Sequence, residues 1–422
     1  MKSSRRQFLK AIGSAGALAA RCKTSPAELM GGQVKSIGKA AKTYDVAVVG
    51  AGVFGAWTAY CLRKSGASVL LLDEYGPANA RASSGGESRI IRMGYGAEEI
   101  YTRWSMNALP KWQGLFAQAG RSELFQPTGV LWINHQDQKY AHDTEATLQR
   151  VGARFEKLAL SQLRERYPQV SFEDDCWGIF EPDSGVLIAR RAVQVVVDQT
   201  VKEGADYRLE AARPPTGKQR LTEIMCASGE RFSAATFVFA CGPWLPKVFP
   251  DLLGNRIFPS RQEVFFFGVP ADDHRFSAPA MPTWLKIEDE FYGMPDIEGR
   301  GFKIAHDSHG PRVDPDTQSR LATPDAMAIA KQYLARRFPA LKDAPALETR
   351  VCQYENTSNG DFLIDQHPDM ENVWLVGGGS GHGFKHGPAV GEYVAARLLD
   401  GGPAEPRFSL ESKDTVQRRA VY

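Results

Sequence analysis

The chain has 422 residues, 43% apolar and 24% charged, enough for two domains or for one large α/β domain carrying an inserted second. A formal net charge of +2 gives no electrostatic reason to expect nucleic acid or an acidic membrane surface as partner. No apolar run of roughly 18 residues lies beyond the N-terminus, so no membrane span is predicted in the body of the chain. Six scattered cysteines read as neither a disulfide framework nor a zinc ribbon.

At the N-terminus, Ser4-Arg5-Arg6-Gln7-Phe8-Leu9-Lys10 precedes a short, weakly apolar stretch from Ala11 to Ala20. Twin arginines before a modest apolar segment resemble a Tat export signal, with candidate cleavage after Ala19 or Ala20. Residues 1–20 are therefore expected to engage the Tat translocase. The destination is then the periplasm or exterior, with membrane retention through an uncleaved signal left open. Cys22 follows arginine rather than a small residue, which argues against a lipoprotein site. Residues 21–42, rich in Lys, Gly, Ser and Ala, read as a linker.

Order is predicted from Tyr44. Asp45–Val49 reads as a buried strand, Val53–Lys64 as a helix stopped by Gly66, and Ser68–Asp73 as a second buried strand. Glu98–Gln118 carries Ile100, Trp104, Ala108, Trp112 and Leu115 on one helical face. Pro110 inside it predicts a kink or two helices, because a proline costs about 3 kcal/mol in a straight one. Further strands are expected at Thr128–Asn134, Phe232–Ala240, Gln262–Val269 and Gly301–Ala305, and a helix at Arg190–Glu203. Thr323-Pro324-Asp325 supplies a cap, a first-position proline and a first-turn acid for a helix running to Arg337. The stretch from Gly401 is polar and expected to be peripheral.

Within the first βαβ unit, Gly50-Ala51-Gly52-Val53-Phe54-Gly55 forms GxGxxG, and Asp73 ends the second strand. Gly50 permits the tight turn, Gly52 lets backbone amides reach a pyrophosphate, and Gly55 lets helix and strand approach. The helix N-terminus at Val53 and Phe54 adds partial positive charge for the phosphates, and Asp73 would accept from a ribose diol. The motif does not choose between FAD and NAD. A second glycine loop does more, since Arg350–Gly391 contains Cys352, Tyr354, and then Gly378, Gly381, His382, Gly383 and Lys385. Two such loops at opposite ends of one chain point to a single extended cofactor, which a nicotinamide enzyme would leave unexplained. His382 and His386 stand four apart but in a glycine-rich loop with no acidic neighbour, so no metal site is predicted.

Four blocks resemble the monomeric sarcosine oxidase family of D-amino-acid-oxidase-like flavoproteins. These are the βαβ unit, Ala82–Arg92, Glu181–Leu187 and Arg350–Gly391, with Phe291–Pro295 a smaller fifth. The resemblance implies a two-domain α/β (α+β) flavoprotein. Residues 43–95, 175–255 and 346–400 would form a Rossmann-like FAD-binding domain. Residues 96–174 and 256–345 would form a discontinuous, antiparallel-sheet substrate domain, leaving 401–422 as a peripheral tail. It implies FAD held by a thioether to Cys352, with Ser83, Ser84, Arg89, Gly242 and Trp244 around the cofactor. Arg92 and Lys385 would hold a substrate carboxylate, Tyr292 and Tyr354 would line the substrate cavity, and Lys303 would activate oxygen. One position departs from the family. A histidine four residues beyond the Lys303 equivalent is replaced by Asp307, while His306 and His309 flank it, so a one-residue slip could return His306 to the site. The implied activity is oxidation of a secondary amine, an N-methyl or otherwise N-substituted amino acid, by a monomer using O2 and forming H2O2. The rivals are a dehydrogenase passing electrons to a quinone or carrier protein, and a flavin-binding protein without catalysis.

Overall fold

Branched and aliphatic residues that alternate little, such as Val46–Val49 and Val69–Leu72, make strands buried on both faces, and these form the middle of a parallel sheet. The computed structural model describes residues 42–308 and 310–418, so the predicted signal and nearly all of the linker lie outside the described residues. In spatial order the first sheet runs Leu363–His367, Met370–Gly377, Arg231–Phe239, Thr43–Val49, Val69–Asp73, Asp206–Leu209, with Glu223–Met225 paired beside Arg231–Phe239. Its central pairings are parallel and only Leu363–His367 and Glu223–Met225 run against them.

Helix Val53–Lys64 packs along this sheet against the C-terminal helix Gly387–Leu399. A Cβ on Gly391 would lie 2.6 Å from the Trp57 carbonyl oxygen, so only glycine permits this approach. That helix contact brings the two glycine loops, some three hundred residues apart, to the same end of the sheet.

The second sheet has eight strands: Ala346–Thr357, Ile257–Phe267, Phe302–His306, Phe291–Met294, Thr283–Lys286, Val130–His135, Cys176–Glu181 and Glu156–Leu158. It is antiparallel as expected, except where Thr283–Lys286 pairs in parallel with Val130–His135. Those two strands come from separate excursions of the chain, so no hairpin constrains their direction. The sheet also takes in Cys176–Glu181 and Ala346–Thr357, which the sequence reading assigned to the cofactor domain.

Glu99–Ala119 is one continuous 21-residue helix through Pro110, which excludes the two-helix alternative, and the Pro110 ring lies on the exposed side. One expectation is corrected. The stretch from Gly401 is docked rather than peripheral: Phe408 is fully buried against Trp104, Phe362 and Tyr393. Arg407 pairing with Glu98 and the Asp414 amide donating to Ser358 Oγ at 2.8 Å anchor the same stretch. Thr323 caps Pro324–Arg337 as predicted, accepting from the Ala326 amide at 3.3 Å. Among the described residues, no helix is long and apolar enough to cross a membrane.

Candidate active site

The glycine loops open onto one cavity of ≈ 420 Å³, walled from Gly50, Gly52, Val53, Phe54 and Asp73 at one end to Tyr354, Gly381, Gly383 and Phe384 at the other. Gly50 has φ +104°, and a Cβ there would meet the Ala240 carbonyl oxygen at 2.3 Å, so the turn requires glycine. Helix Val53–Lys64 starts at the cavity wall, where the Val53 amide donates to Ser84 Oγ at 3.0 Å. The Asp73 carboxylate accepts from the amides of Ala51 (2.7 Å), Tyr75 (2.9 Å) and Gly76 (2.8 Å). Of about four lone-pair sites one remains for a ligand hydroxyl. Burial nevertheless raises the Asp73 pKa, outweighing those amides. Gly242 and Trp244 complete this end, Trp244 held by donation to Asp316 at 2.6 Å. Ser83 Oγ is buried on the cavity wall without a hydrogen-bond partner, as a polar group awaiting a ligand would be. An elongated cavity with a phosphate-type helix terminus, one free acceptor and an orphaned hydroxyl fits FAD.

Strand alternation assembles the rest on a single face of the eight-stranded sheet. Register pairs Lys303 with Phe266 and Met294, Ala305 with Val264 and Tyr292, and Gln262 with Cys352. Lys303, Asp307, Tyr292, Cys352 and Tyr354 therefore share that face. Phe302 and Ile304 point to the opposite face and fill its core. His306 turns there too, stacking on Phe291 with ring centroids 4.7 Å apart and meeting Glu290 at 3.5 Å. Asp307, not His306, thus occupies the cleft, while His309 is outside the described residues.

The Asp307 carboxylate accepts from the Tyr354 hydroxyl at 2.7 Å. Burial raises its pKa to about 6, opposed by that hydroxyl and by the Arg92 and Lys385 charges. Burial beside Asp307 drives the Tyr354 phenol well above its usual range. Tyr292 is raised as well, by burial first and then by Asp307. Lys303, 2% exposed, donates to the Ser88 carbonyl at 3.0 Å and Ser88 Oγ at 3.2 Å. Burial and the nearby Arg89 lower its pKa to about 7. Arg89 in turn donates to Ser83 O at 2.7 Å and reaches Cys352 Sγ at 3.2 Å.

Arg92, also 2% exposed, lies over the rings of Tyr95 (4.3 Å) and Trp132 (4.8 Å). Lys385 Nζ donates to Tyr95 Oη at 2.7 Å and to the His382 carbonyl at 3.0 Å, and burial followed by Arg92 depresses its pKa well below normal. The Arg92 guanidinium and the Lys385 amine are thus held on aromatic faces, Lys385 Nζ lying 5.1 Å from the Tyr95 ring centroid. Their support is Glu181, whose carboxylate accepts from the amides of Met93 (2.6 Å) and Gly94 (2.9 Å), Trp132 Nε1 (2.7 Å) and Ser184 Oγ (2.5 Å).

Not every expected residue reaches the cavity. The His382 ring packs behind the loop on Phe362 and Tyr101, with Nε2 2.9 Å from the Gly360 carbonyl. His386 Nε2 contacts Tyr95 Oη at 2.8 Å, and the His386 ring meets that of His382 edge-on with centroids 6.0 Å apart. Gly55 and Gly378 shape backbone: a Cβ would strike the Gly50 oxygen at 1.9 Å and Thr357 Cγ2 at 2.5 Å, respectively. Sequence reading missed Glu181, Tyr95 and Trp132. Tyr95 lies three residues beyond Arg92, but nothing local marks Glu181 as buried.

A dinucleotide cradle beside a cluster of buried charged side chains defines the class as dinucleotide-dependent oxidoreductases. The chain belongs to the DAO family of FAD-dependent oxidoreductases, whose model matches residues 45–397. It is 32% identical over 391 residues to a monomeric sarcosine oxidase of Bacillus sp. (strain NS-129), covering 90% of this chain and 99% of that one. It is 28% identical to an N-methyl-L-tryptophan oxidase of Yersinia pestis (strain Pestoides F), covering 85% and 95% of the two chains. Among solved structures, NikD, an amino acid oxidase of nikkomycin biosynthesis, shares the fold with TM-score 0.70 at 21% identity, over 87% of this chain and 96% of that one.

Proposed function

We propose that the enzyme oxidises the C–N bond of a secondary amine, an N-methyl or otherwise N-substituted amino acid, to an imine that water hydrolyses, with O2 as acceptor and H2O2 as product. One observation carries this reading. The Arg92 guanidinium and the Lys385 amine lie together, and the Asp307 carboxyl lies within the electrostatic reach of both. A zwitterionic amino acid presents the complementary pair, its carboxylate to Arg92 and Lys385 and its ammonium to Asp307. Asp307 then takes the amine proton and leaves the nitrogen lone pair free. Tyr292 and Tyr354 wall the substrate and exclude water. Bound FAD supplies the two-electron acceptor chemistry. Lys303 holds its ammonium where negative charge develops on oxygen.

Covalent attachment through Cys352 is part of the proposal, supported by the Arg89 guanidinium on its sulfur. So is export by the Tat route, supported by the twin-arginine N-terminus. Function as a monomer is what the name of the Bacillus relative says of that protein. A second reading, electron transfer to a quinone or carrier protein, is favoured by one feature: with its pKa near 7, Lys303 is only partly charged at neutral pH.

Anaerobic titration of the flavin spectrum with N-methyl amino acids, cyclic imino acids and glycated amino acids tests the reading. Bleaching by one class establishes amine oxidation and names the substrate group, and the speed of recovery in air separates oxidase from dehydrogenase. A flavin that dithionite bleaches but no amine does would sink the proposal.

A further inference from the structure

Glu355 takes no part in the chemistry described so far, yet its carboxyl lies on the wall of the cofactor cavity. It is 8% exposed, and Oε2 is fully buried with no hydrogen-bond partner. The backbone amides of Gly378 and Gly379 point at the carboxyl, and among the described residues no cation acts on it. The glycines of the C-terminal loop crowd it: a Cβ on Gly377 would come within 3.1 Å of Oε2 and one on Gly379 within 3.3 Å of Oε1. Gly242, from the opposite wall, faces it at 3.8 Å by the same measure. An acid so placed, lining a cavity that must receive a diphosphate, would repel its ligand if ionised. Carrying a proton instead, it offers an O–H where an acceptor is due.

We propose that Glu355 is a cofactor-positioning residue that stays protonated and donates from its unpartnered oxygen to an oxygen of the bound dinucleotide, on the diphosphate or the ribityl chain. No bond to carbon or phosphorus changes, and one proton is kept by the carboxyl on binding. Burial already raises its pKa to about 7, and an anionic ligand raises it further. Cys241 is the titratable group set directly against it, raised by burial and by the neighbouring carboxyls of Asp73 and Glu355. Arg89 shares the cavity wall farther along.

The test measures FAD affinity by fluorescence between pH 6 and 9 in a Cys352→Ser background, where the flavin is exchangeable. With Glu355 present, the dissociation constant should rise about tenfold per pH unit above about 7, as one proton is lost from the free protein. Glu355→Gln keeps a neutral donor and should hold FAD near the low-pH value with that dependence gone. Glu355→Ala should weaken binding roughly 10- to 100-fold at low pH, the cost of one lost buried hydrogen bond. ADP and riboflavin serve as partial ligands. A pH dependence carried by ADP assigns the partner to the diphosphate, and one carried by riboflavin assigns it to the ribityl chain. Affinity that improves or stays level with rising pH, a Gln variant that tracks the parent, or no dependence in either partial ligand would overturn the proposal. The Gln comparison stands even where the Ala variant folds poorly.

Discussion

Replacing Asp307 by Asn removes a charge while leaving an acceptor for the Tyr354 hydroxyl, which lies 2.7 Å from the carboxylate. If the substrate ammonium sits against this carboxylate, the pair at about 4 Å is worth about 4 kcal/mol at an effective dielectric near 20. Part of that is offset, because Arg92 and Lys385 already stabilise the anion in the free enzyme. A net loss of about 2–3 kcal/mol follows, about 30- to 150-fold in affinity. The assay uses two carboxylates of the same shape. Betaine carries a quaternary nitrogen where 3,3-dimethylbutanoate carries carbon, so they differ only in the positive charge. Calorimetry of the holoenzyme should show betaine preferred, and the preference should vanish in Asp307→Asn. The sign with pH is fixed by the raised pKa: the carboxyl is neutral below about 6 and anionic above it. Selectivity for betaine therefore grows as pH climbs through about 6 and then levels off. Equal affinity for the two compounds in both proteins would refute the role of Asp307 while leaving the carboxylate site intact. If neither compound binds, the carboxylate site itself is wrong.

Lys303→Met should slow the oxygen-consuming half of the reaction by about 100-fold while sparing the amine half, as loss of one preorganised charge does. In the unaltered enzyme the oxygen rate constant should fall as pH rises through about 7, where Lys303 loses its proton, and stopped-flow measurement checks both. Glu181→Gln sets an amide N–H₂ among four donors and should cost about 1–3 kcal/mol in thermal unfolding, with a raised KM as the segment holding Arg92 shifts. In acid precipitation, flavin should stay in the pellet with Cys352 present and move to the supernatant in Cys352→Ser.

What the sequence reveals follows the range of the interactions involved. The βαβ unit and the Thr323 cap are marked by apolar runs, glycines and capping residues that stand close together in the chain, and the expected boundaries hold to within a residue or two. The choice between His306 and Asp307 rested on which parity of one strand faces the cleft. That parity is set by pairing with Phe266 and Tyr292, some 40 and 13 residues from Asp307's neighbours Lys303 and Ala305, so the strand's own pattern leaves it open. Glu181 was harder still. A buried carboxylate survives only where donors converge, and the amides of Met93 and Gly94 arrive from 88 and 87 residues away. The same holds for Glu355, whose surroundings come from the C-terminal glycine loop and from Gly242 far upstream. Phe408 lay in a stretch whose composition is polar, where one anchoring side chain leaves no periodicity to detect.

Lys303 lies near the start of the short strand Phe302–His306 and Asp307 just beyond its end, four residues on. At about 3.3 Å per residue their backbones are about 13 Å apart, beyond the reach of an ion pair. Each is held by its own neutral partner instead, Lys303 by Ser88 and Asp307 by Tyr354. Had they been two residues apart they would neutralise one another, and neither would act on a ligand. Separation keeps an anion for the amine and a cation for oxygen in one enclosed cleft, so the two halves of the reaction are served without sharing a charge. The consequence is measurable. The double variant Lys303→Met, Asp307→Asn should lose amine affinity as Asp307→Asn does and oxygen reactivity as Lys303→Met does, the free-energy effects adding within about 0.5 kcal/mol. A coupling energy well above that would mean that the two groups sense each other directly, and the division of labour along the strand would fail.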